Sequence, residues 1–131
     1  MATPEQIPDD VAQGPTNFEI GTTLLCENDR VRVWEISLDP GERQPFHCHR
    51  TSYYWVVHTG ANIRATFPDG TYHDYTHHAG EVTYVEIPPG AQEVHDLANT
   101  GDTPLFTTTV ELLQNDKLFW RLLPADRQLR S

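Results

Sequence analysis

From Gly41 to Gly60 the chain reads GERQPFHCHRTSYYWVVHTG. His47 and His49 stand two apart in a run rich in aromatic and β-branched residues. In an extended strand, residues i and i+2 share a face. Both imidazoles therefore point the same way, with Cys48 on the opposite face. Two same-side imidazoles in close register are half of a metal site, and imidazole suits zinc, iron, copper and nickel alike. Tyr53 keeps the parity of the pair if the register survives Thr51-Ser52.

Outward from this stretch, short β-type runs recur between turns. Phe18–Cys26 is the first, and it ends in the turn-like ENDR. Val31–Leu38 alternates, with Val31, Val33, Glu35 and Ser37 on one face and Arg32, Trp34, Ile36 and Leu38 on the other. Asp39-Pro40-Gly41 closes it, because proline fixes φ and glycine permits positive φ. Pro45–Arg50 and Ser52–His58 flank the histidine pair. Ala61–Phe67 meets Thr71–His77 through Pro68-Asp69-Gly70, and Asp-Gly between β-type runs is a strong hairpin signal. Glu81–Ile87, Glu93–Ala98 and Leu105–Leu113 complete the series, separated by Pro88-Pro89-Gly90 and Asn99-Thr100-Gly101-Asp102. Many short strands between Gly/Pro turns predict an all-β sandwich or barrel. The tail, DKLFWRLLPADRQLRS, is compatible with a short helix or a last strand, and Pro124 breaks either.

Length and charge set the bounds. A chain of 131 residues is one domain on size, with room for a sizeable core. A net charge of −10 argues against nucleic acid and anionic membrane surfaces as partners. No apolar run approaches the ~20 residues of a spanning helix. The N-terminus, MATPEQIPDDVAQGPT, has neither the basic start nor the apolar run of a signal peptide. The chain thus reads as soluble and cytoplasmic, with Cys26 and Cys48 as free thiols. Residues 1–16 read as a flexible arm, disordered or lying against another surface. Residues 17–114 read as the barrel, and 115–131 as a tail packing on it.

The motifs resemble those of the cupin superfamily, in a small single-domain form. The first cupin motif, G-x5-H-x-H-x3,4-E-x6-G, is matched in spacing by Gly41, His47, His49, Tyr53 and Gly60, with tyrosine where the family has glutamate. The second, G-x5-P-x-G-x2-H-x3-N, finds its letters in Gly80, Pro88, Gly90, His95 and Asn99. Here seven residues instead of five precede Pro88, and four instead of two precede His95. Glu86 sits where the shorter motif would put its proline. The two motifs span residues 41–99, and the flanking strands extend the likeness to about 18–113.

The resemblance implies a jelly-roll β-barrel (double-stranded β-helix) in which His47, His49 and His95 converge on a divalent transition metal: iron, zinc, manganese or nickel. Tyr53 is then either a phenolate ligand or, as the preferred reading, a hydrogen-bonding group behind the ligands that serves catalysis. The three-histidine cupins, which include thiol and diketone dioxygenases, are the analogy for such a site. Two functions follow from different classes. The first is a metal-dependent enzyme of dioxygenase, isomerase/cyclase or lyase type acting on a small organic substrate. The second is a non-catalytic small-molecule-binding or sensor cupin, with the metal absent or incidental. The resemblance also implies a homodimer, with the N-terminal arm and Leu118–Leu123 as contacts.

Other chemistry-bearing residues take humbler readings. His58, His73, His77 and His78 read as surface or pocket-rim residues, and the adjacent His77 and His78 face apart in a strand. Cys48 reads as a small buried hydrophobe. Trp55, Tyr84 and Phe106 are candidate pocket liners. Glu86 and Glu111 are the spare carboxylates best suited to acid–base work.

Overall fold

A computed structural model describes residues 7–113. Nine strands, all paired antiparallel, make two sheets. The strands are β1 (Thr23–Glu27), β2 (Val31–Leu38), β3 (Arg43–His49), β4 (Tyr53–Thr59), β5 (Asn62–Thr66), β6 (Tyr72–Thr76), β7 (Val82–Val85), β8 (Glu93–Asn99) and β9 (Leu105–Leu112). One sheet has the order β1-β2-β9-β4-β7 and the other β3-β8-β5-β6. Consecutive strands β2, β3 and β4 thus alternate between sheets, as a jelly roll requires. Of the four glycines of positive φ, Gly41, Gly70 and Gly90 lie at the expected turns, and Gly80 lies in the turn before β7. Among the described residues, no helix is long and apolar enough to cross a membrane.

Period-2 alternation decides what each sheet buries. On β2 the buried set is Trp34, Ile36 and Leu38, and Arg32 at the start of the same face is only partly buried. Ile36, Leu38 and Leu105 from one sheet meet Ala61 and Ile63 from the other, with Leu97 packed against them. Ile36, Ile63, Leu97 and Leu105 of this cluster also line the cavity between the sheets. The expected first run begins late: β1 starts at Thr23, and all five of its residues are exposed.

The N-terminal segment is part of this architecture. Residues 1–6 of the expected arm lie outside the described residues. Asp9–Thr16 form a 3-10 helix against β3. The cause is the unpaired side of β3, an edge of its sheet. An open edge presents unmet backbone groups. Here the Cys48 amide donates to the Asn17 carbonyl (2.7 Å), and Asn17 Nδ2 donates to the Phe46 carbonyl (2.9 Å). The Phe46 amide donates to Asp10 (3.3 Å), whose carboxylate also takes a two-pronged contact from Arg43 at 2.7 and 2.9 Å. The expected tail, 115–131, with its Leu118–Leu123 contact, falls outside the described residues.

Candidate metal centre

His47 and His49 project from β3, and His95 from its neighbour β8. The register places His47 opposite His95 and His49 opposite Glu93. That register depends on an irregularity between Gln44 and His47, where β3 holds one residue more than β8. Pro45 sits within it. Proline has no N–H for the ladder, so a strand accommodates it at an edge or a bulge. The distortion also presents the Pro45 carbonyl to the ring of His47, whose Nδ1 lies 2.7 Å away. A carbonyl only accepts, so Nδ1 carries the proton and donates, leaving Nε2 with the free lone pair.

The three rings meet edge to face. Their centroids lie 4.9 Å (His47–His49), 4.8 Å (His47–His95) and 5.1 Å (His49–His95) apart, with interplanar angles of 70–79°. One nitrogen from each lies within 4.8 Å of the others. Burial, reinforced by the nearby His95, holds the His47 pKa down to about 3. Burial holds His95 down to about 4. The same cause, with both neighbours adding to it, depresses His49 further. Three neutral imidazoles offer lone pairs rather than protons at pH 7. His49 Nδ1 is buried with no hydrogen-bond partner. Buried polar atoms are rarely left so. The donor set and this orphaned nitrogen fit a divalent transition metal.

The inserted residues before His95 do not displace it. Pro88–Gly90 turn the chain, with the Ala91 amide donating to the Pro88 carbonyl at 3.0 Å. Gly90 has φ +85°, a conformation that side chains resist. The extra length is spent in this loop, and β8 begins in register at Glu93.

Tyr53 opens β4 on the opposite sheet and lies flat on His49, centroids 3.9 Å apart and planes 14° apart. Its hydroxyl donates to Glu93 Oε1 at 2.7 Å. Burial first, then the charge and hydrogen bond of Glu93, push its pKa well above the usual phenol range. The group is a proton-bearing donor here.

Glu93 is the site residue that the motifs conceal. Its Oε1 lies 3.7 Å from His95 Nε2. The signal was present: Glu93 and His95 stand two apart in a strand, the same parity rule that pairs His47 with His49.

Glu86 and Glu111, the spare carboxylates of the sequence, do not line the cavity. Glu86 is exposed. Glu111 is buried and accepts from Trp34 Nε1 (2.7 Å) and Arg32 (3.3 Å), a structural role. Trp55 does line the cavity beside the histidines, but Tyr84 and Phe106 do not. They are 55% and 38% exposed, because Thr83 and Val85 on β7, and Leu105 and Thr107 on β9, take the inward parity. His77 lines the cavity rim, stacked on Tyr75, with Nδ1 3.0 Å from Glu81. Cys48 is buried, away from the histidines, and both cysteines are free.

The cavity above the histidines measures about 350 Å³. Ile36, Ile63, Leu97 and Val85 make much of its wall, and Trp55 and Tyr75 contribute aromatic faces. Among the described residues, no lysine or arginine lines it.

No protein-family model matches the sequence. No curated protein matches it either. Solved structures do match in fold. A cupin domain from Bordetella pertussis superposes with a TM-score of 0.60 at 23% identity, covering 69% of this chain and 88% of its own. A Klebsiella pneumoniae protein with a double-stranded β-helix domain gives 0.55 at 19% identity, covering 80% and 88%. An RmlC-like cupin family protein from Methanocaldococcus jannaschii gives 0.53 at 23% identity, covering 73% and 82%. This chain has the cupin fold, and at these identities the likeness is one of fold.

Proposed function

We propose that this cupin-fold chain is a metal-dependent enzyme acting on a small organic molecule held in its barrel, of dioxygenase, isomerase/cyclase or lyase type. The observation that carries the reading is the convergence of three buried, neutral imidazoles at the end of a largely apolar cavity. His47, His49 and His95 would hold a divalent transition metal, iron, zinc, manganese or nickel, which supplies Lewis acidity or redox chemistry when bound. Imidazole alone does not choose among these ions.

The chain's own residues supply the rest. The Pro45 carbonyl fixes which nitrogen of His47 faces the site. Tyr53 braces His49 by stacking and keeps a proton on its hydroxyl beside the cavity. The walls exclude water and select the ligand. A volume of about 350 Å³ sits at the small end of ligand pockets. Away from the metal, no basic side chain of the described lining offers a counter-charge to a phosphate or polycarboxylate. A neutral, partly apolar or aromatic molecule with an oxygen, nitrogen or sulfur donor at one end is the favoured class.

Elemental analysis of protein purified without a histidine tag tests the reading. Wild type should carry a transition metal, and His47→Ala and His95→Ala should each lose most of it. Equal metal in all three proteins would place the site elsewhere. Mass spectrometry of a ligand released from the protein, before and after metal loading, separates turnover from binding. A ligand that binds and emerges unchanged with every metal would favour a sensor.

A further inference from the structure

Tyr53 stands where cupins place a metal-binding glutamate, and its neighbour in space, Glu93, is a glutamate on another strand. We propose that Glu93 takes over that role from β8, as the fourth protein ligand of the metal, and that Tyr53 positions it. The inference rests on the three-histidine reading above.

Three observations carry it. The first is placement. Glu93 shares a strand face with His95, is the cross-strand partner of His49, and lines the cavity. Its Oε1 lies 3.7 Å from His95 Nε2. Two donors on one ion, each ~2.1 Å from it, stand roughly 3.0–3.4 Å apart in octahedral or tetrahedral arrangements. The present position is outside the three-histidine group, so the Glu93 side chain must turn towards the ion to bind it. The second is charge. Three neutral imidazoles cancel none of a dication's charge, and a charge enclosed by apolar walls is costly unless paired. Glu93 is the carboxylate of the cavity lining, and no lysine or arginine of the described lining competes for it. The third is orientation. The Tyr53 hydroxyl donates to Oε1 at 2.7 Å. A carboxylate has about four acceptor sites, so it takes this bond and still offers a lone pair to an ion. Ligands on metals are commonly aimed by such partners.

This arrangement explains why a tyrosine is acceptable at position 53. A carboxylate there would stand beside Glu93, and the two negative groups would repel. The phenol instead gives a donor where a donor is needed. Glutamate has moved from β4 to β8, and the charge of the site is kept.

The test compares Zn²⁺ affinity by chelator competition, and the Co²⁺ absorption spectrum, in four proteins. Glu93→Gln keeps the shape and removes the charge. It should weaken Zn²⁺ binding by about 100-fold or more and alter the cobalt spectrum. Tyr53→Phe should weaken binding by about tenfold, within the range seen for groups that aim a ligand, and keep the wild-type spectrum. His47→Ala is the control for the underlying site. If His47→Ala loses the metal while Glu93→Gln binds like wild type with an unchanged spectrum, the Glu93 assignment is overturned and the three-histidine site stands. If His47→Ala also binds like wild type, the three-histidine reading fails and takes this inference with it. Should Glu93→Gln not fold, a crystal structure of the Zn²⁺-loaded wild type decides. A Glu93 oxygen within about 2.2 Å of zinc supports the assignment, and one beyond about 3 Å overturns it.

Discussion

Replacing Asn99 by alanine should loosen the barrel without touching the histidines. Asn99 ends β8 and is 2% exposed. Its Nδ2 donates to the carbonyls of Leu38 (2.9 Å) and Thr103 (2.8 Å), and its Oδ1 accepts from the Gly101 amide (3.0 Å). One side chain thus joins the end of β2 to the turn that leads into β9. Alanine removes all three bonds and leaves the backbone groups without a substitute. At ~1 kcal/mol net per bond, the loss is roughly 3 kcal/mol, more if the carbonyls stay dry. For a domain of this size that is a fall of about 10 °C in midpoint temperature. Thermal unfolding followed by circular dichroism, in the presence of a chelator, measures it free of any metal contribution. Asn99→Asp keeps the Oδ1 acceptor but turns an anionic oxygen toward two carbonyls, and should fall at least as far at pH 7. A midpoint for Asn99→Ala within about 2 °C of wild type would refute the account of this residue as a hydrogen-bonded staple.

Gly60→Ala should destabilise by about 1–3 kcal/mol or more in the same assay, since an added Cβ would lie 2.0 Å from the backbone oxygen of His77, which cannot rotate away; a wild-type midpoint would show that the two segments are not so close. Asp10→Asn should raise hydrogen exchange at the Phe46 and Cys48 amides, which the N-terminal segment covers. The hydrogen bond from Arg43 holds the Asp10 carboxyl below its ordinary range. A lowered folded pKa gives stability that is present above the unfolded value of ~3.9 and lost as pH falls through the folded one, so wild type should keep this protection at pH 7 and lose it in acid, while Asp10→Asn lacks it at both. The partners are about one-third exposed, so the contribution is under about 1 kcal/mol, and exchange rather than melting is the readout. A homodimer, with the N-terminal arm and Leu118–Leu123 as its candidate contacts, is the assembly that the likeness to small cupins leads one to expect; a monomeric mass by light scattering at micromolar concentration would count against it.

Much of this protein is legible in its sequence. Proline and glycine act on φ locally, so the turns at Asp39–Gly41, Pro68–Gly70 and Pro88–Gly90 could be read where they stand. Side-chain alternation is also local. It put His47 and His49 on one face, Cys48 on the other, and Trp34, Ile36 and Leu38 together on one face of their strand. It could equally have paired Glu93 with His95, but nothing in the chain says what a strand's inward face will meet. That was decided by register. The extra residue at Pro45 sets His47 against His95 and His49 against Glu93. The folding of β4 onto the other sheet brings Tyr53 over His49 and its hydroxyl to Glu93, 40 positions along the chain. Glu111 looked available until Trp34 and Arg32 were seen to claim it. Tyr84 looked like a pocket aromatic until β7 took the opposite parity. Local rules fix φ and which side chains share a face, because they act between neighbours. Which faces meet, and which carboxylate stands among the imidazoles, depends on contacts between residues distant in sequence, and only the packed barrel decides those.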